Sequence, residues 1–174
     1  MRRALDGLYA TAAILGALCL TGIVLVIIAQ VASRWMAIPI AGAPEFAGYA
    51  MANSFFLPLA YAFRNDAHIR ITVLIDRIAG SWRWTVETLC LGVGFGLAGC
   101  LAIFMFRLAQ VSHEINDLSQ GADATPLWIP QSGVAIGSIL FAVALADTLI
   151  EHLLVARRQP IGEWAAMKPS RKHI

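Results

Sequence analysis

The sequence carries little charge and has no long hydrophilic region. Only 14% of its 174 residues are charged and 59% are hydrophobic, whereas roughly a quarter of the residues in soluble domains are charged. Four stretches contain no Asp, Glu, Lys or Arg, and each is close to the roughly 20 residues that a helix needs to cross a bilayer. They are Gly7 to Ser33, Phe46 to Phe63, Thr88 to Phe106 and Ala124 to Ala146. The sequence therefore predicts an integral membrane protein, and these residues leave no room for a soluble catalytic domain.

Cysteine is scarce, and motifs for catalysis or metal binding are absent. Cys19, Cys90 and Cys100 lie inside the apolar stretches, without the spacing of a disulfide framework or a CxxC metal site. We expect them to be buried, unreactive thiols. The four histidines form no pair at matching depth that could ligate a haem, and there is no HExxH, nucleophile elbow or phosphate-binding loop. We therefore expect a protein that is not an enzyme and holds no cofactor or metal of its own.

The apolar stretches predict one all-α membrane domain with four transmembrane helices. The first stretch is about twice as long as the apolar core of a signal peptide, so we interpret it as a retained helix. Between the second and third crossings, Ile71, Leu74 and Ile78 would share one helix face flanked by arginines, which is typical of a short amphipathic helix at the membrane surface. The alternative is a helical extension of the third crossing, which we disfavour because Gly80-Ser81 would weaken a continuous helix. The predicted boundaries are about 8–33, 45–63, 85–106 and 126–154 for the crossings, 69–82 for the interfacial helix and 155–174 for a tail.

The distribution of charge predicts the orientation. Four crossings place eleven of the thirteen Lys and Arg residues on the side that holds both termini and the central loop. Because basic residues in short loops favour the cytoplasm, both termini should be cytoplasmic. The opposite side has an acidic rim that could steer a partner with basic patches. That rim consists of Glu45, Glu114, Asp117 and Asp123.

Two features within the crossings predict helix packing. Asn53 lies near mid-membrane, where an amide normally bonds to another helix, so we favour a helix contact over a role in substrate binding. Gly92, Gly96 and Gly99 share one face of the third crossing. Small residues at such spacing let helices approach closely. The partner helix could belong to this chain or to another one.

Charged residues near the inner boundary leave two interpretations open. Asp147 and Glu151 are four residues apart near the end of the fourth crossing. Asp147 could be an intramembrane proton or cation site, or it could pair with an arginine such as Arg64 or Arg157. Its depth favours pairing, because it follows most of the apolar run. We expect the cytoplasmic motif around the central loop to anchor the inner end of the protein. It comprises Arg64, His68, Arg70 and Arg77.

Taken together, these features resemble one family of transporter subunits. The residues that carry the resemblance are Arg34 after the first crossing, Glu45 opening the second, the stretch from Arg64 to Asp76 with its Ala67-His68-Ile69-Arg70-Ile71 segment, and Ile129-Pro130 at the start of the fourth. The chain resembles the small membrane subunit, of DctQ type, of tripartite ATP-independent periplasmic (TRAP) transporters. It departs from the family pattern at Ala67, where many members have glycine, and at Gln131 and Ser132, where an aromatic residue is usual.

The resemblance implies a scaffold subunit in the bacterial inner membrane. A large multi-spanning permease subunit would bind sodium ions and substrate in a symport driven by the ion gradient, and a periplasmic substrate-binding protein would deliver an organic acid. The small subunit would support the permease, help to dock the binding protein and contact membrane lipids, with no role for nucleic acid. The alternatives are a stand-alone oligomeric transporter coupled through Asp147 or Glu45, and a membrane anchor of a redox complex. We disfavour the former because no crossing is expected to be interrupted.

Overall fold

The computed structural model describes residues 2–36, 38, 40–65, 82–121 and 124–158. These residues form four long or medium helices, and residues 59–65 are helical as well. Within the described ranges the only extended pairing is an isolated bridge between Leu118 and Pro126, so the predicted all-α class is confirmed there. The predicted interfacial helix, apart from Trp82, lies outside the described residues, as do residues 159–174 of the predicted tail. The helices are α1 (Arg2–Trp35), α2 (Ala43–Phe56), α3 (Trp82–Glu114) and α4 (Trp128–Arg158).

Among the described residues, three helices are long and apolar enough to cross a membrane. The spans are Leu5–Trp35, Thr85–Glu114 and Trp128–Leu154. Each exceeds the roughly 20 residues that cover the hydrocarbon core. α1 and α3 extend beyond the predicted crossings at both ends, and α4 extends beyond its predicted crossing at its C-terminal end but begins two residues later than predicted. Charged residues can continue a helix into the headgroup region.

The second predicted crossing differs from the expectation, because it is not one continuous helix. α2 ends at Phe56, residues 57–58 form a turn, and residues 59–65 are helical again. Pro58 has no backbone N–H and its ring crowds the preceding turn, which interrupts a helix. The interruption is small: Leu57 keeps helical dihedral angles, and its N–H bonds to the carbonyl of Asn53. Our expectation that no crossing would be interrupted is therefore wrong.

The start of α2 is set by local chemistry. Gly42 precedes the helix with φ 79°, in the left-handed region that glycine adopts without steric cost. Pro44 occupies the first turn, where a missing N–H costs no intrahelical hydrogen bond. Glu45 follows in the same turn, where its negative charge interacts favourably with the positive end of the helix dipole. These residues fix where the chain re-enters the helical layer after α1.

α4 is the central helix of the described fold. α3 packs extensively along α4, while α2 lies between α1 and α4 and contacts both. Two small clusters form the core. The first contains Tyr9, Ala60 and Ala144, and the second contains Leu91, Ala98 and Leu145, with Phe63 and Phe141 packed against both clusters. Alanine at these contacts lets the helix backbones approach, as small residues do in membrane proteins.

Most of the apolar surface of the helices faces outward. In the most hydrophobic window of each span, 11% of the residues of α1, 17% of those of α3 and 33% of those of α4 are buried. The cysteines follow this pattern: Cys90 and Cys100 are exposed and Cys19 is partly buried. Our expectation of buried thiols is therefore wrong for Cys90 and Cys100, because hydrophobic periodicity does not tell a lipid-facing position from an internal one.

Candidate functional site

One end of the fold holds a charged cluster that joins three helical segments. The guanidinium of Arg64 donates from Nη1 to Asp147 Oδ2 at 3.2 Å, and its Nε lies 3.3 Å from Asp6 Oδ1. The same guanidinium lies over the ring of Tyr9, with 5.7 Å between Cζ and the ring centroid, which is within the range of a cation–π contact. We call Arg64, Asp6, Asp147 and Tyr9 the Arg64 cluster. It connects α1, the helical residues 59–65 and α4.

The first core cluster positions these charged groups. Arg64 follows Ala60 by four residues, and Asp147 follows Ala144 by three, so each charged residue lies one turn beyond a buried alanine. Tyr9 is 1% exposed and packs against both alanines. Because residues three or four apart share a helix face, the apolar contact brings the charged groups together just past the core. The arrangement can hold helices in register, and it is partly open to solvent or headgroups, since the Asp147 side chain is 29% exposed.

A second polar contact at the same end joins α3 to α4. His152 Nδ1 lies 3.9 Å from Glu87 Oε1, and both side chains are largely buried. This distance corresponds to an ion pair only when the imidazole is protonated. Glu151 precedes His152 and is partly buried, one turn beyond Asp147. At this end of the fold, polar side chains therefore link α1, the helical residues 59–65, α3 and α4.

An amide and close backbone packing hold α2 against α4. Asn53 donates from Nδ2 to the carbonyl of Pro130 at 3.3 Å, which connects α2 to α4, and also to the carbonyl of Tyr49 within its own helix. A Cβ on Gly133 would collide with the Asn53 side chain, so α4 needs glycine at this crossing. The structure thus places Asn53 in a helix–helix contact.

The irregular backbone at the end of α2 packs closely against two further glycines. A Cβ added to Gly137 of α4 would lie 2.6 Å from the carbonyl oxygen of Phe56, and a Cβ added to Gly16 of α1 would lie 2.6 Å from Pro58 Cδ. Both distances are shorter than packed atoms tolerate. Glycines of the neighbouring helices α1 and α4 therefore lie directly against the irregular backbone at 57–58.

The opposite end of the fold is closed by the loop between α3 and α4. Asn116 has φ 49° just after α3, and the N–H of Asp117 bonds back to the carbonyl of Ser112, which is a common way to end a helix. Glu45 lies under this loop, where a Cβ on Gly121 would collide with its carboxylate. Its Oε2 is buried without a hydrogen-bond partner in the described part of the chain.

The other predicted site residues fall into three groups. Glu114 ends α3 and Asp117 follows it in the loop, so these two acids of the predicted rim lie at the end opposite the Arg64 cluster. Glu114 is exposed and Asp117 is partly buried. The face formed by Gly92, Gly96 and Gly99 is open, because nothing in the described chain lies within 4 Å of a Cβ at any of them. The described part of this chain therefore supplies no helix for that face. The predicted residues that lie outside the described ranges are His68, Arg70, Arg77 and Asp123.

Four residues of these contacts are absent from the predicted sites, although the sequence shows how they are spaced: Gly133, Gly137, Asp6 and Tyr9. Gly133 and Gly137 form a small-xxx-small pair in α4, the same type of signal that we assigned to α3. Asp6 and Tyr9 are three residues apart on α1, which places them on one face. No pattern in the sequence alone joins that face to Arg64, because the contact depends on how α1 and α2 pack.

The polar side chains described above link one helix to another. Among the residues that the structure describes, no group of three or more His, Cys, Asp or Glu side chains could hold a metal ion. A comparison with protein families matches residues 23–155 of the 174 to the family described as tripartite ATP-independent periplasmic transporters, DctQ component. A comparison with individual curated proteins finds no match. With helices long enough to span a membrane and a family match over most of its length, this chain belongs to the DctQ family and is a small membrane subunit of a TRAP transporter.

Proposed function

We propose that this subunit is a static scaffold for a large permease subunit in the bacterial inner membrane. The permease would bind sodium ions and move an organic acid by symport, and a periplasmic binding protein would deliver that acid. This chain would hold no ion or cofactor of its own. Both termini would be cytoplasmic, as the asymmetry of Lys and Arg indicates. The resemblance described above and the family match support this division of labour.

The proposal includes a fourth crossing made of α2 and the helical residues 59–65. Residues 43–65 would extend about 34 Å at about 1.5 Å per residue, which is enough to cover a hydrocarbon core of about 30 Å. The interruption at 57–58 is compatible with a crossing because glycines of α1 and α4 enclose it. Irregular backbone is tolerated at membrane depth where protein surrounds it.

The observation that carries the scaffold proposal is the use made of the polar groups in the described interior. Arg64 bonds to Asp147 and lies beside Asp6. Asn53 bonds to the carbonyl of Pro130. A transport path needs polar groups directed towards a cavity, often at the ends of interrupted helices. Here these groups hold one helix to another, and the interruption is filled by packing. This use suits a rigid support better than a stand-alone transporter coupled through Asp147.

The first experiment is purification of the tagged chain from its native membrane in mild detergent, with mass spectrometry of the proteins that accompany it. We expect a much larger multi-spanning protein in equal amount. Recovery of the chain with copies of itself alone would contradict the scaffold proposal and favour the oligomeric transporter. A matched purification of the Asp147→Asn variant would then separate the two roles: loss of uptake with normal assembly would point to proton coupling.

The cytoplasmic motif offers a second test. We expect Arg64, His68, Arg70 and Arg77 to anchor the inner end against lipid phosphates or acidic partners. Replacing Arg70 with alanine should lower the yield of assembled complex without changing the affinity of the isolated binding protein for its substrate. A wild-type yield together with wild-type uptake would remove Arg70 from this role.

The acidic rim is proposed to help dock the binding protein. Glu114, Asp117 and Asp123 would steer a basic surface of that protein, whereas Glu45 would act by supporting the loop above it. Neutralising the first three should slow uptake at low ionic strength and reduce its dependence on salt, because long-range steering is screened by salt. An unchanged salt dependence in the triple variant would rule out this contribution.

A further inference from the structure

A groove between α3 and α4 lies at the end of the fold that carries the acidic rim. It has a volume of about 420 Å³ and is open along one side. The last turns of α3 and the first turns of α4 form its walls. Phe106, Ile136 and Ile139 line its deeper part, while His113, Glu114 and Trp128 line the part nearest the helix ends. The groove therefore changes from apolar to polar along the direction of the membrane normal.

The polar end of the groove lies where headgroups would be. The Trp128 ring packs edge-to-face on His113, with centroids 5.2 Å apart. Tryptophan favours the boundary between hydrocarbon and water. An occupant of this groove would thus meet aromatic and polar groups at one end and apolar groups at the other. This order of polarity matches an amphiphile with one polar end.

Charges beside the groove are ordered in a way that matches one class of lipid. Glu114 lines the groove, and Arg107 is not one of its lining residues. Both are exposed and seven residues apart, so they lie on nearly the same line along α3, which puts Arg107 at the edge of the groove. Arg107 is two turns deeper and can extend its guanidinium along the apolar surface to the headgroup layer. In a phosphatidylethanolamine the phosphate is next to the glycerol and the ammonium is farther along the headgroup. A deeper cation and an outer carboxylate therefore complement phosphate and ammonium respectively.

We propose that this groove binds a phospholipid with an ethanolamine headgroup, which Arg107 holds by its phosphate and Glu114 by its ammonium, with an acyl chain along Phe106, Ile136 and Ile139. The inference requires only that α3 and α4 span the membrane. In the orientation proposed above, the lipid belongs to the outer leaflet. A choline headgroup is a weaker fit, because its quaternary ammonium has no N–H to donate to the carboxylate.

The test is photolabelling of the purified complex in vesicles that contain a trace of phosphatidylethanolamine with a photoactivatable acyl chain, or phosphatidylcholine with the same chain. Mass spectrometry would locate the labelled peptides. We expect the ethanolamine lipid to label the groove on the order of tenfold more than the choline lipid, the difference that one good charge-assisted hydrogen bond produces. Glu114→Gln should remove this preference and leave labelling by the choline lipid unchanged.

A filling variant and its control test the groove itself. Ile136→Trp should fill the groove and abolish the selective label, whereas Ile150→Trp should leave it intact. The two isoleucines are 53% and 55% exposed on the same helix, so the variants place the same bulk on equally exposed sites. Equal labelling by the two lipids, or equal labelling of the groove and of the surface around Ile150, would show ordinary bulk lipid and overturn the proposal. Crosslinks from the groove to a partner protein in place of lipid would also overturn it.

Discussion

Removing the guanidinium of Arg64 should destabilise the fold more than removing either of its carboxylate partners. Arg64→Ala leaves Asp6 and Asp147 without their shared cation, next to the core cluster around Tyr9. Breaking a fully buried pair costs about 3–5 kcal/mol, and the 28% exposure of the Arg64 side chain reduces the expected cost to about 2–3 kcal/mol. The range of about 2–3 kcal/mol includes the loss of the cation–π contact with Tyr9.

The carboxylate variants should follow in a defined order. Asp147→Asn leaves Arg64 its contact with Asp6, so we expect a loss of about 1–2 kcal/mol. The Asp6 side chain is 54% exposed, and Asp6→Asn should cost about 0.5 kcal/mol, as exposed pairs do. Arg64→Lys should lie between wild type and Arg64→Ala, because an ammonium lacks the planar set of donors that reaches two carboxylates at once.

The assay is reversible unfolding of the purified subunit, or of the complex, by increasing denaturing detergent, followed by size-exclusion fluorescence and circular dichroism. A double-mutant cycle of Arg64→Ala and Asp147→Asn should give a coupling energy of about 1–2 kcal/mol. Arg34→Ala is the control, since Arg34 is exposed at the far end of α1, and it should change stability by less than about 0.5 kcal/mol. Additive effects in the cycle, or a larger effect for Asp6→Asn than for Asp147→Asn, would refute this account of the cluster.

Three other substitutions test the packing and the loop. Gly137→Ala should destabilise the fold by about 1–3 kcal/mol, because the added methyl group overpacks against the backbone of α2. Gly22→Ala, in open space on α1, should be neutral or slightly stabilising. Thermal unfolding of the two variants side by side measures the contrast, and equal effects would contradict the close approach of α2 to Gly137. Asn53→Ala should lower the free energy of unfolding by about 0.5–1.5 kcal/mol, because the interhelical hydrogen bond is lost. A wild-type melting profile would show that this bond does not stabilise the fold. Ala124 has φ 45°, so Ala124→Gly should stabilise the loop by about 1 kcal/mol, measurable as slower proteolysis there; faster cleavage would argue against the strained backbone.

The helical class and the positions of the long helices follow from composition, because uncharged runs of this length have few alternatives in a bilayer. The choice of pairing for Asp147 also follows from depth, and Arg64 was one of its two expected partners. The interruption at Pro58 was readable in principle, since proline inside a helix removes a hydrogen bond. A hydrophobic run alone shows only that a segment is apolar, and we gave that run more weight than the proline within it.

Which glycine face packs internally could not be predicted from the sequence. α3 and α4 both carry glycines at helical spacing, yet the structure packs Gly133 and Gly137 of α4 against α2 and leaves Gly96 of α3 open. Lipid tails are as apolar as leucine side chains, so hydrophobic pattern does not separate a lipid-facing surface from a helix-facing one. The partners of Arg64 on α1 also depend on which helices pack against each other, and the sequence does not determine this. The same is true of the exposure of Cys90 and Cys100.

The central position of α4 has a consequence for synthesis. α1, α2 and α3 leave the ribosome before the helix against which α2 and α3 pack, and Asp147, the acid that bonds to Arg64, is made near the end of the described chain. Until α4 is inserted, Arg64 lacks its contact with Asp147, and the interrupted backbone at 57–58 lacks its contact with Gly137. Nascent chains stalled before residue 128 would therefore expose polar groups to lipid. Insertion of α4 therefore completes the polar contacts of Arg64 and the packing around residues 57–58.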